Sequence, residues 1–175
     1  MTSGEGSYQI EIQNVFADGL DWRVDHWNRI YEAYRTAPYF KAFSNVFEEM
    51  YLGRNEKNLS KINCDFIQLI NSILKIETPI HSSVNFDAPK EKSERLAYIC
   101  SDLGASIYVS GESAKAYLNV QLFEKMGIEV AWADYTGYPM YEQLNPPFEH
   151  AVSVIDLIFN EGPKASLFLK EKLWM

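Results

Sequence analysis

Hydrophobic and polar residues alternate near the start of the chain and recur at helical spacing further on. Tyr8, Ile10 and Ile12 alternate with polar residues, which predicts a half-buried strand over 8–16. Beyond Gly19, apolar residues return every three or four positions, as on the buried face of an amphipathic helix. This spacing predicts three helices in the first half of the chain, within 21–36, 38–52 and 58–78.

Shorter elements follow in the second half, where predicted strands and helices take turns. Pro79 to Val84 favours a short strand, and Ser93 is expected to cap a helix that ends at Gly104. The later elements are a strand over 106–110, a helix over 113–126, a strand over 128–135, an irregular segment over 137–150, a helix over 153–162 and a helical end. Alternation at these lengths is typical of parallel βαβ pairing. The sequence therefore predicts an α/β fold, a three-layer-like domain with a small, mostly parallel sheet and a helix-rich N-terminal half.

The composition favours one compact domain. Of the 175 residues, 47% are hydrophobic and 14% are aromatic, which is enough apolar surface to offset the ordering entropy of folding. We therefore expect a flexible lead-in over 1–7 and a single domain over 8–175. Cys64 and Cys100 lie on predicted apolar helix faces and are expected to be buried free thiols, as suits a reducing compartment.

Charge and hydropathy narrow the class of partner. The formal net charge of −8 repels phosphate backbones, so neither nucleic acid nor an anionic membrane surface is an expected partner. No run of residues approaches the roughly 20 apolar positions of a membrane span, and the first residues lack the basic and apolar regions of a signal peptide. We expect a cytoplasmic protein that binds a small molecule and does not insert into a membrane.

A turn rich in serine and glycine follows the predicted strand over 106–110. Ser110 and Gly111 end that strand, and Ser113 and Lys115 open the predicted helix after it. Helix N-terminal amides, two hydroxyls and an ammonium group would suit a phosphate or carboxylate at the carboxyl end of a parallel strand. A plain βα turn with a serine cap explains the same residues without a ligand, and both interpretations remain open.

A tyrosine-bearing segment leaves the next predicted strand. Asp134 and Tyr135 come first, and Tyr141 and Gln143 follow in the irregular segment. The expected fold brings them near the serine-glycine turn, and such side chains suit sugar hydroxyls through stacking and paired hydrogen bonds. The alternative interpretation is an aromatic loop that covers the core.

A pair of polar residues interrupts an otherwise apolar helix near the end of the chain. Asp156 and Asn160 lie one helical turn apart, so they share a face. Polar groups in such surroundings need partners or an exposed position. In one interpretation these two side chains contact a ligand. In the other, Asp156 supports the helix N-terminus and no ligand is involved.

Metal, cofactor and triad chemistry are not indicated by the spacing of residues. His26, His81 and His150 show no ligand spacing, so neither a metal nor a cofactor is predicted. Ser153, His150 and Asp156 could be drawn as a triad, but a GxSxG motif is absent and Ser153 is better explained as a helix cap. The catalytic residues stay unassigned.

Several of these segments, taken in this order, resemble the WbqC-like protein family, over about Gln9 to Pro163. The resemblance is carried by Ala-Tyr-Arg-Thr-Ala-Pro-Tyr-Phe at 33–40, Ser-Glu-Arg-Leu at 93–96, Tyr-Val-Ser-Gly-Glu-Ser-Ala-Lys-Ala-Tyr-Leu at 108–118, Phe123 with Gly-Ile-Glu-Val at 127–130, Tyr-Glu-Gln at 141–143 and Ser-Val-Ile-Asp-Leu-Ile-Phe-Asn-Glu-Gly at 153–162. Family members usually begin with a further segment of the Gln-Pro-x-Tyr-x-Pro-Trp type, and this sequence departs from the family there.

The resemblance implies a role in the biosynthesis of bacterial surface polysaccharide (O-antigen). It implies transfer of a glycyl or similar acyl group to an amino sugar, for which a nucleotide-sugar is the expected ligand. If the catalytic group belongs to the segment in which this chain departs from the family, the alternative is a non-catalytic module that binds a sugar nucleotide or assists assembly in the same pathway. Nucleotidyl transfer rests on fold analogy alone and ranks last.

Overall fold

The computed structural model describes residues 11–170, which fall into two compact units. The first unit comprises residues 11–77 and 139–168, and the second unit comprises residues 78–138 and 169–170. The expectation of a single domain over 8–175 stays a prediction.

Six α-helices and two β-strands form the regular structure of residues 11–170. They are α1 (Asp21–Tyr34), α2 (Phe40–Leu52), α3 (Leu59–Leu74), α4 (Lys92–Asp102), β1 (Ile107–Ser110), α5 (Val120–Lys125), β2 (Glu129–Trp132) and α6 (Val154–Glu161). Short 3-10 turns lie at Ile12–Asn14, Ser83–Asn85, Glu112–Ala116 and Gly162–Phe168. The predicted α/β class, with its small parallel sheet and helix-rich N-terminal half, is confirmed. None of the helices within this range has the length and apolar character that crossing a membrane requires.

The core of the first unit is aromatic. Phe159 of α6 is fully buried, and its ring lies 5.0 Å from that of Phe40 and 5.4 Å from that of Phe47, both on α2. The backbone amide of Tyr39 donates to the Phe159 carbonyl at 2.9 Å, which ties the start of α2 to α6. Gly162 ends α6 with a φ of 55°, and a Cβ there would collide with the Tyr39 ring, so the close approach requires glycine.

A buried arginine joins α1 to the end of α2. Arg23 of α1 is 4% exposed. Its Nη1 donates to the Met50 carbonyl at 3.0 Å, and its Nη2 donates to the Glu56 carbonyl at 2.6 Å. Carbonyl groups in the last turn of a helix have no partner within that helix. The guanidinium therefore caps α2, a role that the spacing of apolar residues does not reveal.

The sheet of the second unit is a parallel pair of strands. Ile107 of β1 lies opposite Glu129 of β2, and Ser110 lies opposite Trp132, so the predicted parallel pairing is confirmed. Phe123 of α5 is fully buried, and its ring stacks on that of Tyr108 in β1 at 4.9 Å. This stacking holds α5 against the sheet. Because the two strands are parallel, their carboxyl ends lie at the same edge of the sheet.

Two predicted strands are wrong within residues 11–170. Residues 12–14 form a 3-10 turn in which the Val15 amide donates to the Ile12 carbonyl at 3.1 Å, and residues 8–10 of that prediction lie outside the described residues. Residues 79–82 are irregular, and residues 83 and 84 belong to the 3-10 turn that begins at Ser83. Alternation predicts which side chains face inward, but a strand also needs a neighbour to accept its hydrogen bonds.

The predicted helix over 113–126 is wrong as a continuous element. Glu112–Ala116 is a 3-10 turn, and α5 begins only at Val120. The amide of Asn119 donates to the Ser93 hydroxyl at 3.1 Å, so the chain turns to meet α4 before α5 starts. Ser93 is therefore not the cap of α4. The Glu91 carboxylate caps α4 by accepting the Glu94 amide at 2.8 Å, and this bond lowers the pKa of Glu91.

Candidate functional site

A cleft of about 630 Å³ opens at the carboxyl end of β2 in the second unit. This is the sheet edge at which open parallel sheets bind ligands, and its volume is within the range of small-molecule sites. It is lined by Glu112, Trp132, Ala133, Asp134, Tyr135 and Thr136. Asp134 and Tyr135 are predicted from the sequence as ligand-binding residues, and the structure brings them together here.

The serine-glycine turn differs from the predicted anion site in its geometry. Ser110 ends β1, and after Gly111 the chain enters a 3-10 turn in which the Ala114 amide donates to the Gly111 carbonyl at 3.0 Å. Ser113 is exposed within this turn. The α-helical N-terminus on which the anion site depended is not formed at this position, because the helix begins at Val120.

The ammonium group of Lys115 is already matched by a carboxylate. Its Nζ lies 2.6 Å from Glu112 Oε1 and 5.3 Å from the centroid of the Trp132 ring. Both charged side chains are exposed, so the pair contributes little to stability. The Glu112 carboxylate nonetheless compensates the positive charge of Lys115, which the sequence suggests as a partner for a phosphate. This rim of the cleft is therefore close to neutral.

The Asp134 carboxylate is held in place by its own turn. Its Oδ1 accepts the Thr136 amide at 2.9 Å and the Thr136 hydroxyl at 2.7 Å. The Lys170 ammonium lies 3.5 Å from Asp134 Oδ2 and 5.2 Å from the centroid of the Tyr138 ring. The bond from the Thr136 amide lowers the pKa of Asp134, and Lys170 lowers it further. Asp134 therefore stays ionised and presents a fixed acceptor to the cleft.

Four other predicted site residues meet in the first unit. The Tyr141 hydroxyl donates to Asp156 Oδ1 at 2.8 Å, and the Gln143 amide donates to the same oxygen at 3.1 Å. Gln143 also pairs with the backbone of Glu149, which donates to its Oε1 at 2.7 Å and accepts from its Nε2 at 2.9 Å. The Asn160 amide donates to the Asp156 carbonyl at 2.9 Å.

The ten predicted site residues are divided between the two units. Tyr141, Gln143, Asp156 and Asn160 belong to the first unit, and the other six belong to the second. Asp156 is 7% exposed and Asn160 is 5% exposed. The Asp156 carboxylate binds the irregular segment over 141–149 to α6, and the Asn160 amide bonds back to the Asp156 carbonyl within α6, so these hydrogen bonds account for both residues without a ligand. Ser153 is the N-cap of α6, but its side chain makes no capping bond.

A tyrosine that the sequence did not indicate completes the Asp156 cluster. Burial, the charge of Asp156 and a hydrogen bond to it raise the pKa of Tyr34 to about 12. Burial also raises the pKa of Tyr141 to about 12; Asp156 adds to this rise and the bond from Gln143 opposes it. Both phenols therefore remain proton donors to the carboxylate far above neutral pH.

The raised pKa values predict a loss of stability at alkaline pH. In the unfolded chain both phenols titrate near pH 10, so the unfolded state releases these protons first. Because the folded state then binds more protons, the free energy of unfolding should hold up to about pH 10 and fall between pH 10 and 12. Denaturant unfolding at a series of pH values measures this. Tyr34→Phe combined with Tyr141→Phe should flatten the decline, and an unchanged slope in this double variant would contradict the assignment.

Histidine, cysteine and acidic side chains are dispersed in the part of the chain that the structure describes. Within residues 11–170 no three histidine, cysteine, aspartate or glutamate side chains converge as metal ligands. Cys64 and Cys100 are free and half-buried, and burial raises the pKa of the Cys100 thiol. The two thiols are thus free, as expected, although they are less buried than the apolar pattern suggested.

Comparison with known proteins fixes the family. The sequence profile of the WbqC-like protein family matches residues 3–167. The chain belongs to the WbqC-like protein family. An uncharacterized protein of Mycobacterium tuberculosis, Rv1507c, is similar to it, with 36% identity over 166 residues that cover 95% of this chain and 72% of the relative. No solved structure matches the chain significantly.

The cleft of this WbqC-like protein contains residues that the sequence analysis missed. Glu112 and Trp132 line it, as does Thr136, and Lys170 reaches Asp134 from 36 positions away. The sequence pattern places Trp132 on a strand face, where it is expected to serve the core. The available signal was its position as the last residue of β2, since the carboxyl end of a parallel strand is where side chains reach a ligand.

Proposed function

We propose that this WbqC-like protein binds an amino sugar in the cleft beyond β2 and transfers a glycyl group to the sugar amine, as a step in the biosynthesis of bacterial surface polysaccharide. The family resemblance of the sequence supplies the pathway, the glycyl donor and the nucleotide carrier. The observation that carries the proposal is the lining of the cleft, in which an aromatic face lies beside two carboxylates.

The lining suits a sugar with a free amino group. The Trp132 ring offers an apolar face on which the C–H side of a pyranose can pack. The carboxylates of Glu112 and Asp134 accept hydrogen bonds from hydroxyl or ammonium groups, and charged acceptors make the stronger bonds of this kind. The hydroxyls of Tyr135 and Thr136 donate and accept. With Lys115 and Lys170 paired to these carboxylates, the lining is close to neutral and suits a polar, uncharged sugar better than a bare anion.

The transfer itself is an acyl substitution on an activated glycine, such as a glycyl ester or thioester. The sugar amine attacks the glycyl carbonyl carbon, a C–N bond forms, and the C–O or C–S bond to the leaving group breaks. The amine proton passes to a base, and the leaving group departs as an alcohol or thiol. Asp134, whose pKa is lowered by Thr136, is suited to hold the amine in position rather than to remove its proton.

Replacing Trp132 by alanine should weaken binding of a nucleotide-linked amino sugar by about tenfold, because the stacking face is lost. Isothermal titration calorimetry measures this directly. Tyr117→Ala is the matched control, since Tyr117 is an exposed aromatic residue of the same unit that does not line the cleft. Because Trp132 also packs on the core of this unit, Asp134→Asn provides a second test in which the fold should be retained.

The experiment that decides the function joins binding to turnover. The protein is incubated with a nucleotide-linked amino sugar and an activated glycine, and the sugar product is analysed by mass spectrometry. A glycylated product that disappears in Trp132→Ala and Asp134→Asn supports the transferase. Binding without product assigns the alternative role, a non-catalytic sugar-nucleotide module, and overturns the transferase. Equal binding by Asp134→Asn, Trp132→Ala and Tyr117→Ala overturns the site.

A further inference from the structure

A second cleft, of about 480 Å³, lies in the first unit among α1, α2, α3 and the residues that precede α1. Its volume is within the range of small-molecule sites. Most of its wall is aromatic or aliphatic, and three polar side chains join the lining. Its lining includes Asp18, Trp22, His26, Tyr51, Asn63 and Phe66.

The aromatic wall is continuous. The Trp22 ring lies 5.2 Å from that of His26 and 6.2 Å from that of Tyr51, at interplanar angles of 71° and 75°. The Tyr51 ring lies 4.9 Å from that of Phe66. The two contacts of Trp22 are edge-to-face and the Tyr51–Phe66 pair is tilted at 50°, so each ring is packed against the next. A rigid aromatic surface binds a flat ring at low entropic cost, since little ordering remains to be done.

The charge beneath the wall disfavours a cation. Arg23 is buried under the Trp22 indole, with its guanidinium carbon 4.8 Å from the ring centroid. The hydrogen bonds of this guanidinium within the described residues go to backbone carbonyls, Met50 and Glu56 among them, so its positive charge is not neutralised by a carboxylate. A quaternary ammonium ligand would share the indole with this charge, whereas an uncharged ring would not be repelled.

The polar residues of the lining define the edge of the ligand. Asp18, His26 and Asn63 are all exposed. The Asp18 carboxylate only accepts hydrogen bonds, and the His26 imidazole can donate and accept them. The Asn63 amide donates through its nitrogen and accepts through the neighbouring oxygen. A flat heterocycle that carries an amino group beside a ring nitrogen matches this set, because the amino group donates where the carboxylate accepts and the ring nitrogen accepts where the amide donates.

We propose that the cleft lined by Trp22, Tyr51 and Asp18 binds an uncharged, planar heteroaromatic ring with an exocyclic amino group, as in an aminopurine or aminopyrimidine base. The aromatic wall takes the face of the ring, and Asp18 with Asn63 takes its amino edge. This site is separate from the sugar cleft of the second unit and does not depend on the glycyl transfer proposed there.

Adenosine, which has such a base and carries no phosphate, is the probe for the full chain. Calorimetric titration and saturation-transfer NMR should detect binding of adenosine. The dimethylamino analogue of adenosine keeps the ring, but methyl groups replace both N–H donors of its exocyclic amino group. This analogue should bind about tenfold more weakly than adenosine. Asp18→Asn should weaken adenosine by a similar factor, since its carboxylate acceptor becomes an amide.

Matched variants show whether adenosine binds in this cleft or in another part of the protein. Asp25→Asn changes an equally exposed aspartate of α1 outside the cleft and should bind adenosine as the wild type does. Trp132→Ala, which tests the sugar cleft, should also leave adenosine binding unchanged. The absence of adenosine binding, an equal affinity for the dimethylamino analogue, or tighter binding of tetramethylammonium than of adenosine would each overturn the proposal. If adenosine binding is lost in Trp132→Ala and kept in Asp18→Asn, the base belongs to the sugar cleft and this site is wrong.

Discussion

Replacing Arg23 by alanine is expected to lower the free energy of unfolding by about 3 kcal/mol, since two charge-assisted hydrogen bonds are lost, one of them to the carbonyl of the buried Met50. The acceptors are the carbonyls of Met50 and Glu56, at 3.0 Å and 2.6 Å. With the guanidinium gone, the Met50 carbonyl at the end of α2 loses its side-chain donor. The side chain also packs against Trp22, so a cavity adds to the loss. Urea unfolding followed by circular dichroism measures the difference.

Two further variants show whether the loss comes from the hydrogen bonds. Arg23→Lys keeps the charge but has one donor group rather than a fork, so we expect it to recover less than half of the loss. Arg29→Ala removes an exposed arginine from the same helix, paired with Asp25 at 3.0 Å, and should cost less than about 0.5 kcal/mol. If Arg23→Ala and Arg29→Ala proved equally mild, Arg23 would not be the cap of α2.

The helices of the first unit could be predicted because their burial is local in the sequence. In α3, Ile62 and Phe66 lie one turn apart, so a single periodic pattern marks the inward face. The end of α6 at Gly162 follows from the backbone preference of glycine, whereas α3 ends at Leu74, four residues before the predicted end of the segment over 58–78. These signals need no knowledge of the rest of the chain.

The features that sequence reasoning missed depend on residues far apart in the chain. Arg23 reaches carbonyl groups 27 and 33 positions later, which a helical pattern cannot show. The break before α5 depends on a bond from Asn119 to Ser93 of another helix. The predicted strand over 8–16 had the right alternation for a strand, but its residues 12–14 form a local turn instead. Where tertiary partners decide the backbone, local preference is overruled.

Only part of the candidate site could be predicted from the sequence, because the rest depends on the exact course of the backbone. Asp134 and Tyr135 follow a strand whose parallel partner is also predicted. Because parallel strands end at the same edge of a sheet, the position of these two residues could be inferred. Glu112 and Trp132 complete the cleft, but their positions depend on the turn after Gly111 and on the exact end of β2. Strand ends are the least predictable part of a sequence pattern. The sequence therefore predicts the sheet edge at which this cleft opens and two of the residues that line it, Asp134 and Tyr135.

Removing the buried carboxylate of Asp156 should lower the free energy of unfolding by about 3 kcal/mol in Asp156→Ala, since the donors that face it would be left without an acceptor. These donors are the Tyr141 hydroxyl at 2.8 Å and the Gln143 amide at 3.1 Å. The segment over 141–149 is held to α6 by these bonds, so it should also become more open to proteolysis. Ser153→Ala, at the exposed N-cap of the same helix, should cost less than about 0.5 kcal/mol, since its side chain makes no capping bond.

A conservative variant separates the charge of Asp156 from its shape. Asp156→Asn keeps the size and one acceptor oxygen, so the loss should be smaller, about 1 kcal/mol. Removing the negative charge should also lower the pKa values of Tyr34 and Tyr141 from about 12, but only part of the way, because burial is the larger cause of both shifts. Tyrosinate absorbance during alkaline titration reports these values. If Asp156→Asn left both titrations unchanged, the Asp156 carboxylate would not be the acceptor that the two tyrosines share. Other bonds would then have to hold residues 141–149 to α6.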